Sequence, residues 1–238
     1  MEPANVATPA GPGLDTAGWA PRVYAACLVL FPLLFLIFAG TDIHPDPSGE
    51  TPADQVRAVV ESAGAWQLVH LVLGAGSLLA MGAVLALRSL VPTRRRRLSV
   101  AASIAAALGV AAAGLVAGMV VMEAVLVAPV ARACAASSSC LAANNEPFLS
   151  EFANASWNDL THLSYAAGTL IFSLATLAVL GWAAEAVRPW EALAVVVGVV
   201  GIYATNTILH GDARYGLAFV LVAGASIAYR MQRRSRHV

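Results

Sequence analysis

Six stretches of this chain run without a single Asp, Glu or Arg: Val23–Gly40, Ala65–Leu87, Ser99–Val121, Leu163–Ala184, Ala192–Leu209 and Tyr215–Tyr229; the third has an apolar continuation to Val130 broken only by Glu123. A helix needs about 20 apolar residues to cross a hydrocarbon core. In that medium the backbone must satisfy its own hydrogen bonds, which restricts such runs to helices or closed barrels. Runs of this length predict an all-α fold, a polytopic membrane protein built as a six-helix transmembrane bundle. The balance of residues agrees, with 59% hydrophobic, 12% charged and a mean hydropathy of +0.73. Soluble domains hold about 45–50% apolar and about 25% charged residues. A disordered protein, a disulfide-stapled secreted domain and an ordinary soluble enzyme are thereby excluded.

Net charge is zero, yet the charges are sorted along the chain. All 14 basic residues are Arg. Arg88 and the run Arg94–Arg97 lie between the second and third runs, Arg188 between the fourth and fifth, and Arg230, Arg233, Arg234 and Arg236 after the sixth. The opposite loops carry Arg57, Arg132 and Arg214 against Asp42, Asp46, Glu50, Asp54, Glu61, Glu146, Glu151, Asp159 and Asp212. Positive residues stay inside, so both termini are expected in the cytoplasm of a bacterial inner membrane. The Arg94–Arg97 run needs no nucleic-acid partner, because topology and anionic lipid headgroups account for it.

Residues 1–21 are rich in Pro, Gly and Ala and are expected to be a disordered cytoplasmic segment without a signal peptide. Residues 22–230 form the membrane domain, and 231–238 a basic tail. Two longer outer loops, 41–63 and 131–160, elaborate it. The first opens on a turn-rich segment, His44 to Gly49, and continues as a short helix with Val56, Val59 and Val60 on one face. The second carries Cys134 and Cys140, then Phe148, Leu149, Phe152 and Trp157, and is expected to lie on the membrane as an interfacial helix. A disulfide between Cys134 and Cys140 on the oxidising side would pin it. The third run is the richest in small residues, including the pair Gly114 and Gly118, which predicts a central helix approached closely by its neighbours.

Ionisable groups inside spans are costly and point to function. His70 precedes Arg88 by a stretch of helix roughly 27 Å long, and His162 and His210 stand at comparable heights by the same rise. Glu123 reaches that layer if the long third helix tilts. Asp159 lies one turn before His162. Trp66 and His70 share a face, as do Tyr203, Asn206 and His210 at i, i+3 and i+7. Tyr165, Thr169 and Phe172 make a stripe, and Met119, Met122 and Glu123 line one sector. Together they predict a pocket with an acid-and-histidine lid and aromatic or Met walls. The plainer reading is that these histidines are interfacial and that Trp66, Trp157, Trp182 and Trp190 form an aromatic belt. Glu123 resists it best, since no basic residue is near in sequence. Burial disfavours the charged carboxylate and would leave a neutral acid able to donate a proton.

In size, helix number and the intramembrane acid Glu123, with Asp159 as a second acid, the chain resembles the small membrane-bound terpene cyclases of bacterial terpenoid pathways. The resemblance implies acid-initiated cyclisation or isomerisation of a lipophilic isoprenoid without a cofactor. Glu123 or Asp159 would be the proton donor, His70, His162 and His210 would orient it or accept a proton, and Trp66, Tyr165, Phe172, Tyr203, Asn206, Met119 and Met122 would shape the pocket. Asn158-Asp159-Leu160-Thr161-His162 is also similar to the Asn-Asp-x-x-Asp motif of intramembrane prenyltransferases, with His162 in place of the last Asp. No second Asp-rich motif follows, which speaks against Mg²⁺-diphosphate chemistry. The alternative is a zinc or haem site built from His70, His162, His210 and Glu123. A transporter or structural subunit is the third reading. The expected partners are membrane lipids and a lipophilic small molecule.

Overall fold

The computed structural model describes residues 16–39, 52–137, 146–204 and 214–235, with the side chains of 16–19, 38–39, 52–53, 55–56, 59, 127–128, 146–164, 203–204 and 234–235 outside that set. All regular structure in these segments is helical: α1 (Thr16–Ala39), α2 (Pro52–Glu61), α3 (Ala63–Ser89), α4 (Arg96–Met122), a π-helical turn (Glu123–Val127), α5 (Ala128–Ala135), α6 (Glu146–Ala183), α7 (Pro189–Ala204) and α8 (Arg214–Ser235). Four of these stretches are long and apolar enough to cross a membrane: Ala20–Ile37, Ala63–Ser89, Arg96–Ala135 and Tyr165–Ala183. The apolar helix Pro189–Ile202 is shorter.

The long helices form a closed ring in chain order. α1 packs on α3, α3 on α4, α4 on α6, α6 on α7, α7 on α8, and α8 returns to α1. α3 also reaches across to α6. α4 touches neither α1, α7 nor α8 among the described residues, so the expectation of a central third helix is corrected. Gly114 and Gly118 explain the error. A Cβ built on either meets nothing within 4 Å, so the pair faces outward. In a chain this rich in Ala and Gly, small residues sit on the outer surface as well as between helices.

Close backbone approach occurs instead between α7 and α8. A Cβ on Gly198 would lie 2.6 Å from the Gly216 carbonyl oxygen, and one on Gly216 2.5 Å from that of Gly198. Only hydrogen fits there, and the two backbones touch as small-residue contacts between membrane helices do. Gly198→Ala is therefore expected to force α7 from α8 and to destabilise the chain by about 1–3 kcal/mol. Thermal unfolding in detergent tests this, and a melting point equal to that of wild type would refute the contact.

The core is otherwise small and aliphatic, with Val84, Val91, Leu177 and Ile227 fully buried. Large apolar side chains such as Leu68, Leu78, Ile104, Leu115, Leu193 and Val222 are exposed around the ring. An apolar surface of that extent suits lipid and not water.

α6 begins earlier than hydropathy suggests. Residues 146–160, expected to be loop with an interfacial helix, continue the spanning helix without a break. No glycine or proline interrupts it between Pro147 and Gly168, and Pro147 falls in the first turn, where its missing N–H is harmless. α2 occupies the second half of loop 41–63, where a short helix is expected.

The ends of α3, α4 and α6 are tied together by arginines. Arg88 reaches over the α3–α4 turn to Ser103 Oγ (3.1 Å), Ser99 Oγ (2.9 Å) and the Val91 carbonyl (3.0 Å). Arg95 donates to the Ala183 carbonyl at the end of α6 (2.7 Å) and to Glu185 Oε1 (2.9 Å). Guanidinium groups at helix C-termini satisfy orphan carbonyls and oppose the dipole. Glu185 itself adopts φ 64°, closing α6 with a 6→1 bond from Ala186 N–H to the Gly181 carbonyl (2.9 Å). A left-handed conformation at this position favours glycine. The hydrogen bond from Arg95, then its charge, holds the Glu185 carboxyl below its usual range. A lowered folded-state value means the contact contributes above the ordinary carboxylate range and is lost as pH falls through it.

Candidate functional site: a buried His–Glu pair beside a π-helical turn

His70 and Glu123 come together at the end of the bundle opposite the arginines. Trp66 and His70, one turn apart on α3, stack with ring centroids 4.4 Å apart and planes at 29°. His70 Nδ1 lies 2.8 Å from the Trp66 carbonyl oxygen. A carbonyl only accepts, so Nδ1 carries the hydrogen. The opposite nitrogen, Nε2, lies 2.8 Å from Glu123 Oε2. Two lone pairs cannot face each other at that distance, so one further proton bridges Nε2 and Oε2. A backbone carbonyl fixing one nitrogen while the other addresses a carboxylate is the arrangement that orients histidines for proton transfer.

Side-chain exposure is 4% for His70 and 14% for Glu123. The carboxylate is thus the member nearer open space, with the imidazole behind it. One turn below, Gly74 lets α3 press against α4: a Cβ there would sit 2.8 Å from Val121 Cγ2. Glu123 is the first residue of the π-helical turn. Such a turn widens a helix by one residue and occurs often at functional positions. α2 and α5 pack on each other and on α3, and α2 also meets α6, closing this end of the bundle around the pair.

The other expected site residues divide into three groups. Trp66 joins the pair, as its shared face with His70 predicts. Tyr165 and Phe172, 73% and 55% exposed, do not line a pocket with it; they line an outward groove between α4 and α6. Met119 is half-buried, while Met122, 57% exposed, points outward. The side chains of Asp159, His162 and Tyr203, together with Asn206 and His210, lie outside the described residues. Cys134 is disulfide-bonded and Cys27 is free; Cys140, the expected partner of Cys134, lies outside the described residues. Of the four suggested zinc or haem ligands only His70 and Glu123 fall within them, and no group of three His, Cys, Asp or Glu is assembled among the described residues.

Glu191, on α7, carries no expectation from hydropathy or topology, yet it is fully buried. Its Oε1 accepts from Ser226 Oγ (2.7 Å) and Arg230 Nε (3.2 Å). Its Oε2 accepts from the Arg188 N–H (2.8 Å) and from Arg230 Nη2. Arg230 Nη1 continues to the Ala186 carbonyl (3.0 Å). The signal available in sequence was Pro189 followed two residues later by Glu191, the mark of a helix start whose third residue reaches back to cap it. The cluster binds α7 to α8 at the arginine end and lies apart from the dyad.

Compared with known proteins, the chain matches no family model, and no curated protein or solved structure is significantly similar to it.

Proposed function

We propose that the chain is a six-span integral membrane enzyme that uses the His70–Glu123 dyad for acid–base chemistry on a lipophilic substrate. Its concrete form is the acid-initiated cyclisation or isomerisation of an isoprenoid, as in the membrane-bound terpene cyclases it resembles. The observation carrying the reading is the 2.8 Å contact between His70 Nε2 and Glu123 Oε2, with the histidine oriented by the Trp66 carbonyl. The convergence of Arg88, Arg95 and Arg230 at the other end supports cytoplasmic termini in a bacterial inner membrane. The dyad then lies toward the outer leaflet.

The chemistry balances without a redox partner. Glu123 donates its proton to an alkene carbon, the π pair forms the new C–H bond, and the cation is held by aromatic faces such as Trp66. Loss of a proton from a neighbouring carbon forms the product alkene and reloads the dyad. His70 is the positioning residue that sets the direction of the carboxyl. Membranes carrying the full chain, incubated with linear prenylated substrates in D₂O, are expected to yield isomeric products bearing one deuterium. Glu123→Gln should lower turnover by about 10²–10⁴-fold. Unchanged turnover in that variant, or products without deuterium, would overturn the reading.

A further inference from the structure

The groove between α4 and α6 encloses about 640 Å³ and is walled by Ala101, Ile104, Leu108, Gly168, Phe172 and Tyr165. It continues downward through Ala101 and Ile104 into a second depression of about 510 Å³ whose end is formed by Arg96 and Arg97. We propose that this continuous groove is a binding site for one chain of an anionic phospholipid, with its phosphate on Arg96 and Arg97. The inference requires a membrane-embedded bundle and is independent of the acid–base reading.

Three features favour this occupant. The first is shape. Ala101 and Gly168 leave the floor open, and a Cβ at Gly168 would meet nothing within 4 Å, while Ile104, Leu108, Phe172 and Tyr165 stand exposed around it. The second is polarity. Thr169 Oγ1 donates to the Tyr165 carbonyl (2.9 Å) and Ser173 Oγ to that of Thr169 (2.7 Å), so the wall's hydroxyls are spent on their own helix. What remains for an occupant is largely hydrocarbon. The third is charge. Arg96 and Arg97 are exposed, begin α4, and form no ion pair among the described residues. Two guanidinium groups beside the first N–H groups of a helix attract a phosphate.

The dimensions agree with a lipid chain. Arg97 and Tyr165 mark the two ends, and by the register set where Gly109 meets Ser173 they are separated by roughly 30 Å of helix. One leaflet of a ~30 Å hydrocarbon core needs roughly half its thickness. A fatty-acyl chain therefore lies within the groove from phosphate to tip.

The full-length protein in nanodiscs of phosphatidylglycerol and phosphatidylcholine, followed by native mass spectrometry, tests the site. Wild type should retain phosphatidylglycerol over phosphatidylcholine. Each of Arg96→Gln and Arg97→Gln should weaken that retention about five-fold. Gly168→Leu, which fills open space without a clash, should lower it with both arginines present, and Ala101→Leu serves as a second filling variant. Inorganic phosphate at millimolar concentration should leave the lipid bound. Equal retention of the two lipids would overturn the proposal. So would loss in the arginine variants with none in either filling variant, which would mean headgroup attraction without a groove. Displacement by phosphate alone would mean an anion site, and would overturn it equally.

Discussion

Replacing Glu191 with alanine is expected to destabilise the chain by about 3–5 kcal/mol, the cost of leaving a buried ion-pair partner uncompensated. The carboxylate is wholly enclosed and accepts four hydrogen bonds, two of them from the Arg230 guanidinium. Removing it strands Arg230 against the Ala186 carbonyl and Ser226 at the junction of three segments: the α6–α7 turn, the start of α7 and the last turns of α8. Glu191→Gln keeps the volume but loses the charge and presents donors where acceptors are required. A loss of about 1–3 kcal/mol is expected there. Ser226→Ala removes one neutral donor and should cost about 0.5–1.5 kcal/mol. The order Ala, Gln, then Ser226→Ala distinguishes a charge network from simple packing. Thermal unfolding in detergent checks it, and an alanine variant as stable as wild type would refute the cluster's role.

That this cluster escapes a reading by hydropathy has a physical cause. Glu191 stands at the edge of an apolar run, where a charged residue ordinarily meets headgroups or water, and nothing in a linear pattern says that α8 will bring Arg230 to it. The helical rise counts depth and periodicity counts faces. Neither counts which helix comes next in the ring. The same limit accounts for Tyr165 and Phe172. Their spacing does place them on one stripe, but the stripe looks out between α4 and α6 and not toward Glu123. Gly114 and Gly118 form a pair of the expected kind on the wrong side of α4.

The His70–Glu123 contact was, by contrast, open to inference. Both depths follow from the helical rise, and the α3–α4 hairpin runs antiparallel with an even register. Arg88 meets Ser99 and Ser103 at one end, and His70 meets Glu123 at the other. Trp66 and His70 stack because residues four apart share a helical face. The π-helical turn at Glu123 has no comparable signal. It depends on how one extra residue is absorbed when the helix packs, and Val125 and Leu126 around it read as ordinary apolar span.

A pair of leucines in place of the dyad separates its chemistry from its contribution to folding. Glu123→Leu alone leaves Nε2 of His70 without its carboxyl, and His70→Leu alone leaves the carboxyl in an enclosed site. Each is expected to cost about 1–3 kcal/mol for the group left behind. The double variant strands neither, and apolar groups of suitable volume replace a buried polar pair at little cost. Its loss should fall short of the two single losses added together by about 0.5–3 kcal/mol, the coupling expected of groups in contact. Unfolding in mixed micelles measures all three. Deuterium incorporation from D₂O, measured on the same samples, carries the decision. A folded double variant that incorporates none assigns the dyad to proton transfer, because the fold is retained while the carboxyl and imidazole that exchange the proton are gone. A folded double variant that still labels product would reduce His70 and Glu123 to a packing contact, and the acid–base reading would fall with them.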